Sequence, residues 1–420
     1  EVFGGGSVFY GGASLRMRPQ DLQAWPLVYD DLEAHYTRAE GLLDVHGLAG
    51  GDPFEPPRSA PYPRTPIDLT SPAQRIHTAA QSLGYRPFAL PLAINFRDAS
   101  RPLCILCNTC DGHPCRIEAK NDLTATVLHR AQVLGLEIRV GVIARQLVVD
   151  AGQVTAIEAT DAVSGASHTF AASRFVVAAG ALQTPALLLR SGLGETTQGG
   201  RWIGRRLMRH CNAVLTGVFR ERTNPEGVFH KQLCFTDFYE DLRSSHGMAT
   251  GTIQDIYTPI GQVIAHHAPP GLRTIAGWCS MFMQNLLCVA EDEPRYENSV
   301  RLGREDCFGM ASPRVDHAYT EADYQRRNHL LAHARQVLKA AGAWTTRVHE
   351  IDSFSHGVGT VGMAGSPEAG ASDSQGRLWG VENLWITDGA AFTTSGGVNP
   401  SLTIAANALR VAPFIIEGRR

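Results

Sequence analysis

No apolar stretch in this chain reaches the roughly eighteen residues that a bilayer-spanning helix needs. The best, Phe175 to Leu189, is interrupted by Gly180, Gln183 and Pro185. Nor is there a run of lysines and arginines interleaved with aromatics, and the net charge is −3, so no nucleic-acid partner is expected. A Gly-x-Ser-x-Gly elbow is missing, which disfavours a hydrolase. Also missing is a Gly-x-Gly-x-x-Gly turn that follows a strand and opens a pyrophosphate-binding helix. The chain instead starts at Glu1, not methionine, directly in a glycine-rich loop. The expectation is an N-terminally truncated sequence whose signal peptide, if any, cannot be judged. A cytoplasmic location is favoured. Nine cysteines, an odd number, exclude complete disulfide pairing.

Within those limits, 420 residues that are 44% hydrophobic and 19% charged can bury a large core, and two interleaved domains are expected rather than one. The most informative stretch is residues 356–404. His356 sits in Ser355-His356-Gly357-Val358-Gly359-Thr360, and an imidazole titrates near neutrality, which suits a general base. Val381 to Thr387 is a short apolar run ending in Asp388-Gly389-Ala390, which reads as a buried strand with a sharp turn at its carboxyl end, where α/β sheets bind ligands. From Pro400 to Ile416 the chain is apolar on nearly every face, with Asn399 as expected N-cap and Pro400 as first helical residue. The free N–H groups of that helix start can face negative charge. Each residue has a plainer reading: His356 as a core histidine, Asn399 as a cap alone, Asp388 as a turn former.

Taken together, Ser355 to Thr360, Asp388-Gly389-Ala390 and Ser395-Gly396-Gly397-Val398-Asn399-Pro400-Ser401-Leu402-Thr403-Ile404 resemble the C-terminal signature of the glucose-methanol-choline flavin oxidoreductases. Many members carry a second histidine where Asn399 stands, and others an asparagine. The opening Gly4 to Gly12 and Ala13 to Arg18 resemble the family's flavin-contacting loop; Trp25, Tyr29 and Ala39-Glu40 match a helical stretch after it. Phe175 to Gly180, read as a buried strand ending in glycine, and Thr184-Pro185, read as the cap of a helix to Ser191, resemble the family's VxAAGAxxTPxLLLxSG signature. Gly200 to His210 resembles a GxxLxDH-type segment, with Arg209 where an aspartate is usual.

The resemblance implies FAD as cofactor, with Gly5, Gly6, Ser7, Tyr10, Gly11, Ala144, Ala179, Gly180, Asp388, Gly389, Ala390, Asn399, Pro400, Ser401 and Leu402 as its contacts. It also implies oxidation of a CH–OH group by hydride transfer to flavin N5, with His356 as base and Asn399 orienting the alcohol. The donor would be a small-molecule alcohol such as a sterol or a sugar; the acceptor could be oxygen, a quinone or a redox protein.

Elsewhere the chain carries weaker signals. Asp30 and Glu33 suggest a capped helix to Leu43, and Ser71 to Leu83 another. Cys104, Cys107, Cys110 and Cys115 are spaced closely enough to hold an iron–sulfur cluster or zinc, with His113 as a further ligand, although packed thiols or a disulfide fit better. A helix from Leu123 through Val133, strands across 137–144 and 146–149, and another over 154–159 follow. From Val214 to Ala343 apolar alternation suggests an antiparallel sheet with helices, including Glu321 to Ala341, and Phe235, Met281, Phe282 and Met283 could line an apolar pocket.

The fold expected is mixed α/β: a Rossmann-like FAD-binding domain from residues 1–60, 100–213 and 350–420, lacking its Gly-x-Gly-x-x-Gly unit, and a substrate domain from 61–99 and 214–349 on an antiparallel sheet. Two alternatives stand beside the enzyme. One is a non-catalytic truncated fragment unable to retain FAD, the other an electron-transfer protein with a cluster on the four cysteines.

Overall fold

The computed structural model describes residues 2–354 and 356–418. Ser355, the first residue of the histidine motif, lies outside them. The opening glycines form a short 3-10 turn, Gly5–Val8, and the chain runs on to α1 (Asp30–Leu42) and α2 (Ser71–Ser82). Asp30 is the first helical residue and not a cap. Glu33, its expected capping partner, pairs with the buried Arg16 at 3.0 Å and accepts from the Ser59 amide and hydroxyl instead. A buried guanidinium needs carboxylates more than a solvated helix end needs a cap.

After β1 (Phe88–Ala89), the helix expected from Leu123 splits into a π-type turn over Thr124–Leu128 and α3 (His129–Val133). β2 (Val142–Asp150), β3 (Gln153–Asp161) and β4 (Ser167–Ala171) form an antiparallel meander. The two strands expected across 137–149 are one, interrupted by a bulge between Ala144 and Gln146 that resets the side-chain alternation. β5 (Phe175–Val177) leads through Ala179 into α4 (Gly180–Arg190) and α5 (Leu193–Thr196). Thr184 and Pro185 therefore sit inside α4 and do not cap it.

The middle of the chain supplies β6 (Ala213–Val218), β7 (Leu233–Phe235), α6 (Arg243–His246), β8 (Thr252–Ile256), α7 (Gly261–His267), α8 (Arg273–Cys279) and β9 (Met283–Val289). A hairpin of β10 (Ser299–Glu305) and β11 (Ala311–Asp316), α9 (Glu321–Ala340) and β12 (Thr345–Glu350) follow. The main sheet is antiparallel throughout, in the order β1-β7-β8-β9-β6-β12. Its β6 alternates buried and half-buried positions, as a strand packed on one face must. α9 starts at a capping box in which Thr320 and Asp323 satisfy each other's amides.

Helices α2 and α9 cover the sheet around Ile76, Leu215, Phe235, Leu286 and Leu330. Phe235 is fully buried there, so it is core and lines no pocket. Met281, Phe282 and Met283 are half-buried beyond it.

The last elements are β13 (Leu384–Ile386) and α10 (Ser401–Glu417). β13 pairs in parallel with β5, Leu384 opposite Phe175 and Ile386 opposite Val177. The strand expected from Val381 to Thr387 keeps only these three residues. A second core gathers Leu32, Tyr36, Phe175, Leu188, Val358, Ile386, Phe392 and Leu402 around this pair. The Tyr36 hydroxyl meets Thr403 Oγ1 at 2.8 Å and ties α1 to α10. The architecture is mixed α/β, with a short parallel pair in one core and an antiparallel sheet in the other.

Candidate active site

The carboxyl ends of the parallel strands deliver two turns side by side, Ala179-Gly180 after β5 and Asp388-Gly389-Ala390 after β13. Asp388 braces them: its Oδ2 accepts from the Gly180 amide at 2.7 Å and the Thr184 hydroxyl at 2.5 Å, and its Oδ1 accepts from the Ala390 amide at 2.9 Å. Burial pushes the carboxyl up against the downward pull of these bonds. The Asp388 carboxylate is thus committed to the protein. Gly180 has a φ of 82°, and a side chain placed on it would meet nothing within 4 Å, so this turn opens onto free space. Gly389 is packed from the other side, where a Cβ would stand 3.1 Å from Val358 and 3.3 Å from the Gly357 carbonyl.

Helix α10 begins at the same crevice. Pro400 precedes its first residue, and no side chain caps it. Asn399 is therefore not the expected cap, because its amide is used elsewhere. Oδ1 accepts from Gln254 Nε2 of β8 at 2.7 Å, which turns Nδ2 toward His356 Nε2 at 3.5 Å. Two residues 43 positions apart thus meet in space.

The hydrogen-bond network fixes where the histidine protons sit. His210 Nε2 lies 2.8 Å from the Gly396 carbonyl and 3.2 Å from that of Ser395. Carbonyl oxygens only accept, so Nε2 carries the proton and Nδ1 of the neutral ring is a bare acceptor. That acceptor stands 2.8 Å from His356 Nδ1, which must donate. His356 Nε2 is left with a lone pair, aimed at Asn399. Asn212 adds a 3.4 Å contact to His356 Nδ1 through its amide nitrogen, while its Oδ1 is buried without a partner.

Electrostatics keeps both rings neutral. Burial pushes His210 down, and Asp292 and the two carbonyls oppose it only in part. Burial, then His210 and Lys231, hold His356 well below the ordinary imidazole range. Asp292 stays ionised: the bond from His317, the nearby His210 and the Arg209 amide outweigh its burial. It also holds the His210 backbone, accepting from the Arg209 amide at 2.8 Å and the His210 amide at 3.0 Å, while the Ser395 hydroxyl donates at 2.9 Å. His210 sits at a left-handed φ of 59°, a conformation that needs such support. Glu291, pushed up to about 8 by burial, accepts from the Gly396 and Ala249 amides at 3.1 and 2.6 Å.

Arg209, the departure noted in the sequence, donates to the carbonyls of Ile351 at 2.5 Å and Asp352 at 3.3 Å, and its guanidinium lies 4.5 Å from the Phe354 ring centroid. It thereby clasps the segment that presents His356.

The opening loop reaches the site indirectly. Tyr10 donates to the Asn121 carbonyl at 2.7 Å and Ser7 to that of Gly4 at 2.8 Å, while Gly5 and Gly6 face open space. Gly11 lies against the Asp111–Lys231 ion pair of 2.6 Å, where a Cβ would collide with both side chains. Ala144 stands at the β2 bulge, with Ala159 of β3 opposite. Cys104, Cys107, Cys110 and Cys115 all carry free thiols; burial pushes Cys104 up to about 12, so it is a neutral thiol. The buried Lys120 organises their loop by donating to the carbonyls of Tyr10, Cys110 and His113. Among the described residues, these cysteines do not bring three ligand atoms together as a metal would require.

Sequence reasoning missed His210, Asn212, Gln254 and Asp292. His210 closes the Gly200 to His210 segment, but nothing local shows that its ring reaches 146 positions along the chain.

An uncapped buried helix start, an open glycine turn and a neutral histidine beside a carboxamide thus come together at the ends of the parallel strands. Two family profiles, both described as GMC oxidoreductase, match residues 1–212 and 294–408. The chain belongs to the GMC oxidoreductase family, and its cofactor is FAD. It is 32% identical to 6'''-hydroxyparomomycin C oxidase of Streptomyces lividus, over 98% of this chain and 78% of that protein. Paromamine 6'-oxidase of Streptomyces fradiae is 30% identical over the same shares. 2-Methyl-1,2-propanediol dehydrogenase of Mycolicibacterium austroafricanum is 27% identical over 98% and 80%. Among solved structures, pyridoxine 4-oxidase from Mesorbium loti superposes with a TM-score of 0.67 at 20% identity, covering 97% of this chain and 82% of that one. Formate oxidase of Aspergillus oryzae gives 0.67 at 13% identity, over 99% and 83%. Among the described residues no helix is long and apolar enough to cross a membrane.

Proposed function

We propose that this protein oxidises a CH–OH group of a sugar-type alcohol, with His356 as general base and Asn399 as the group that orients the alcohol oxygen. The observation that carries the reading is the bare Nε2 of His356, held 3.5 Å from Asn399 Nδ2 at the start of α10. The alcohol oxygen would replace this direct contact, its proton passing to Nε2 and its lone pair accepting from Nδ2. FAD, when bound, supplies the acceptor for the carbon-bound hydrogen. Gly180, Ala390, Ser401 and Leu402 would hold it, because the open turn and the uncapped amides of α10 suit a planar ring that gains negative charge.

Positioning by Asn399 depends on Gln254, whose bond leaves the Asn399 amide only one orientation. The Gln254 Oε1 is itself buried without a partner and suits a second hydroxyl of the substrate. A sugar-type donor also agrees with relatives that act on paromamine and on 6'''-hydroxyparomomycin C. For this purpose we assign residues 1–60, 100–213 and 350–420 to the cofactor and 61–99 and 214–349 to the substrate, although the core around β5 and β13 also draws in Phe88, Ile94 and Tyr239 from the second set.

Replacing His356 by alanine in the holoprotein tests the reading. FAD should stay bound, while flavin bleaching by a sugar alcohol under argon slows about 100-fold or more. An unchanged bleaching rate would exclude His356 as the base. Repeating the turnover under air shows whether oxygen serves as acceptor.

A further inference from the structure

Far from the histidine pair, the outer face of α9 carries His329 and His333, one helical turn apart and thus on one side of the helix. Asp241, in the turn before α6, faces them. Each of the three offers a ligand atom within 4.8 Å of the others. His329 Nε2 and Asp241 Oδ2 are 2.7 Å apart. His333 is held from behind: its Nδ1 lies 2.9 Å from the Tyr85 hydroxyl, whose own proton goes to Gln336 Oε1 at 2.8 Å. The Tyr85 oxygen must then accept from His333 Nδ1–H, which leaves His333 Nε2 with a bare lone pair. Phe238 stacks on this ring, with centroids 3.8 Å apart at 15°, and locks its rotation. A fixed tautomer and a packed ring are what outer partners provide to a metal-binding histidine.

We propose that Asp241, His329 and His333 form a binding site for a divalent transition ion, zinc above all, with water as the fourth ligand. Two imidazoles and one carboxylate on a partly exposed surface match zinc's preference for nitrogen and oxygen donors in a tetrahedral shell. Zinc takes the place of the proton between His329 Nε2 and Asp241 Oδ2, and the neutral ring carries its one proton on Nδ1 instead. The ion would staple α9 to the segment that carries Phe238 and Asp241.

Calorimetric titration of the holoprotein with Zn2+ tests this directly. One ion per chain is expected. In His329→Gln, and in Asp241→Asn, which alters only a surface side chain, affinity should fall tenfold or more. It should stay unchanged in Cys107→Ser, which separates this site from the thiols. The proposal is overturned if no saturable zinc binding occurs. It is equally overturned if zinc is retained by both the His329 and Asp241 variants and lost from the Cys107 variant.

Discussion

Replacing His210 by alanine removes the acceptor of the His356 Nδ1–H without removing any group proposed to meet the alcohol. That proton then lacks its 2.8 Å partner in a buried setting, and the ring is free to carry it on Nε2, the atom proposed as the base. A buried donor left unpaired costs about 1–3 kcal/mol. At about 1.4 kcal/mol per tenfold, the base-competent tautomer is disfavoured by roughly 5- to 150-fold, and kcat should fall by that factor while KM changes little. The pH profile should move as well. Burial is the main reason that His356 lies low, and His210 adds to it. Without His210 the His356 pKa rises, so the acid limb of kcat/KM shifts to higher pH. His210→Asn provides the control. Its amide oxygen can occupy the place of Nδ1, and asparagine tolerates the left-handed φ of 59°. It should recover most of the rate. Steady-state kinetics between pH 5 and 9, with melting temperatures to confirm folding, measures all three proteins. An alanine variant with wild-type kcat and an unmoved acid limb would refute the relay.

Asp255 is buried, accepts from the Gln232 and Leu233 amides at 2.7 Å each, and is pushed up to about 8 by burial. Between its ordinary pKa and about 8 the folded protein binds a proton that the unfolded chain has lost, so stability falls as pH rises through that window. Asp255→Asn keeps the accepting oxygen and should flatten the decline, which denaturant midpoints at pH 5 and 8 would show; equal slopes would contradict it. His230 has the opposite sign. Burial pushes it down to about 4, so stability drops as pH falls below its ordinary value near 6.5 and stops dropping near 4. A His230→Gln variant should lose less stability on acidification than the wild type. Thr184→Val deletes the hydroxyl that accepts from the Ala179 amide at 3.0 Å and donates to Asp388. A loss of about 1–3 kcal/mol is expected in equilibrium unfolding. Gly11→Ala should open the Asp111–Lys231 ion pair and lower the melting temperature; an unaltered transition would show that the loop shifts freely.

Local patterns determined the elements whose cause is local. The apolar faces and start signals near Ser71 and Glu321 fixed α2 and α9 to within a residue or two, and alternation marked the antiparallel region that became the main sheet. Glycine, asparagine and proline motifs placed His356 and Asn399 on the page, and the family with them. Other elements depended on distant partners. Glu33 was drawn from its capping role by Arg16, and Asn399 from its own by Gln254, since a buried charge or amide outbids a helix end that other groups can serve. The four cysteines looked like a ligand set because spacing along the chain does not say where sulfur atoms point.

What the sequence alone determined was the chemistry available: an imidazole, a carboxamide and an apolar helix opening at a strand end. Only the tertiary structure decided which nitrogen of His356 carries the proton. That choice rests on two backbone carbonyls, a second histidine and a buried aspartate brought together from separate parts of the chain, and a proton's position depends on neighbours in space, not on neighbours in sequence.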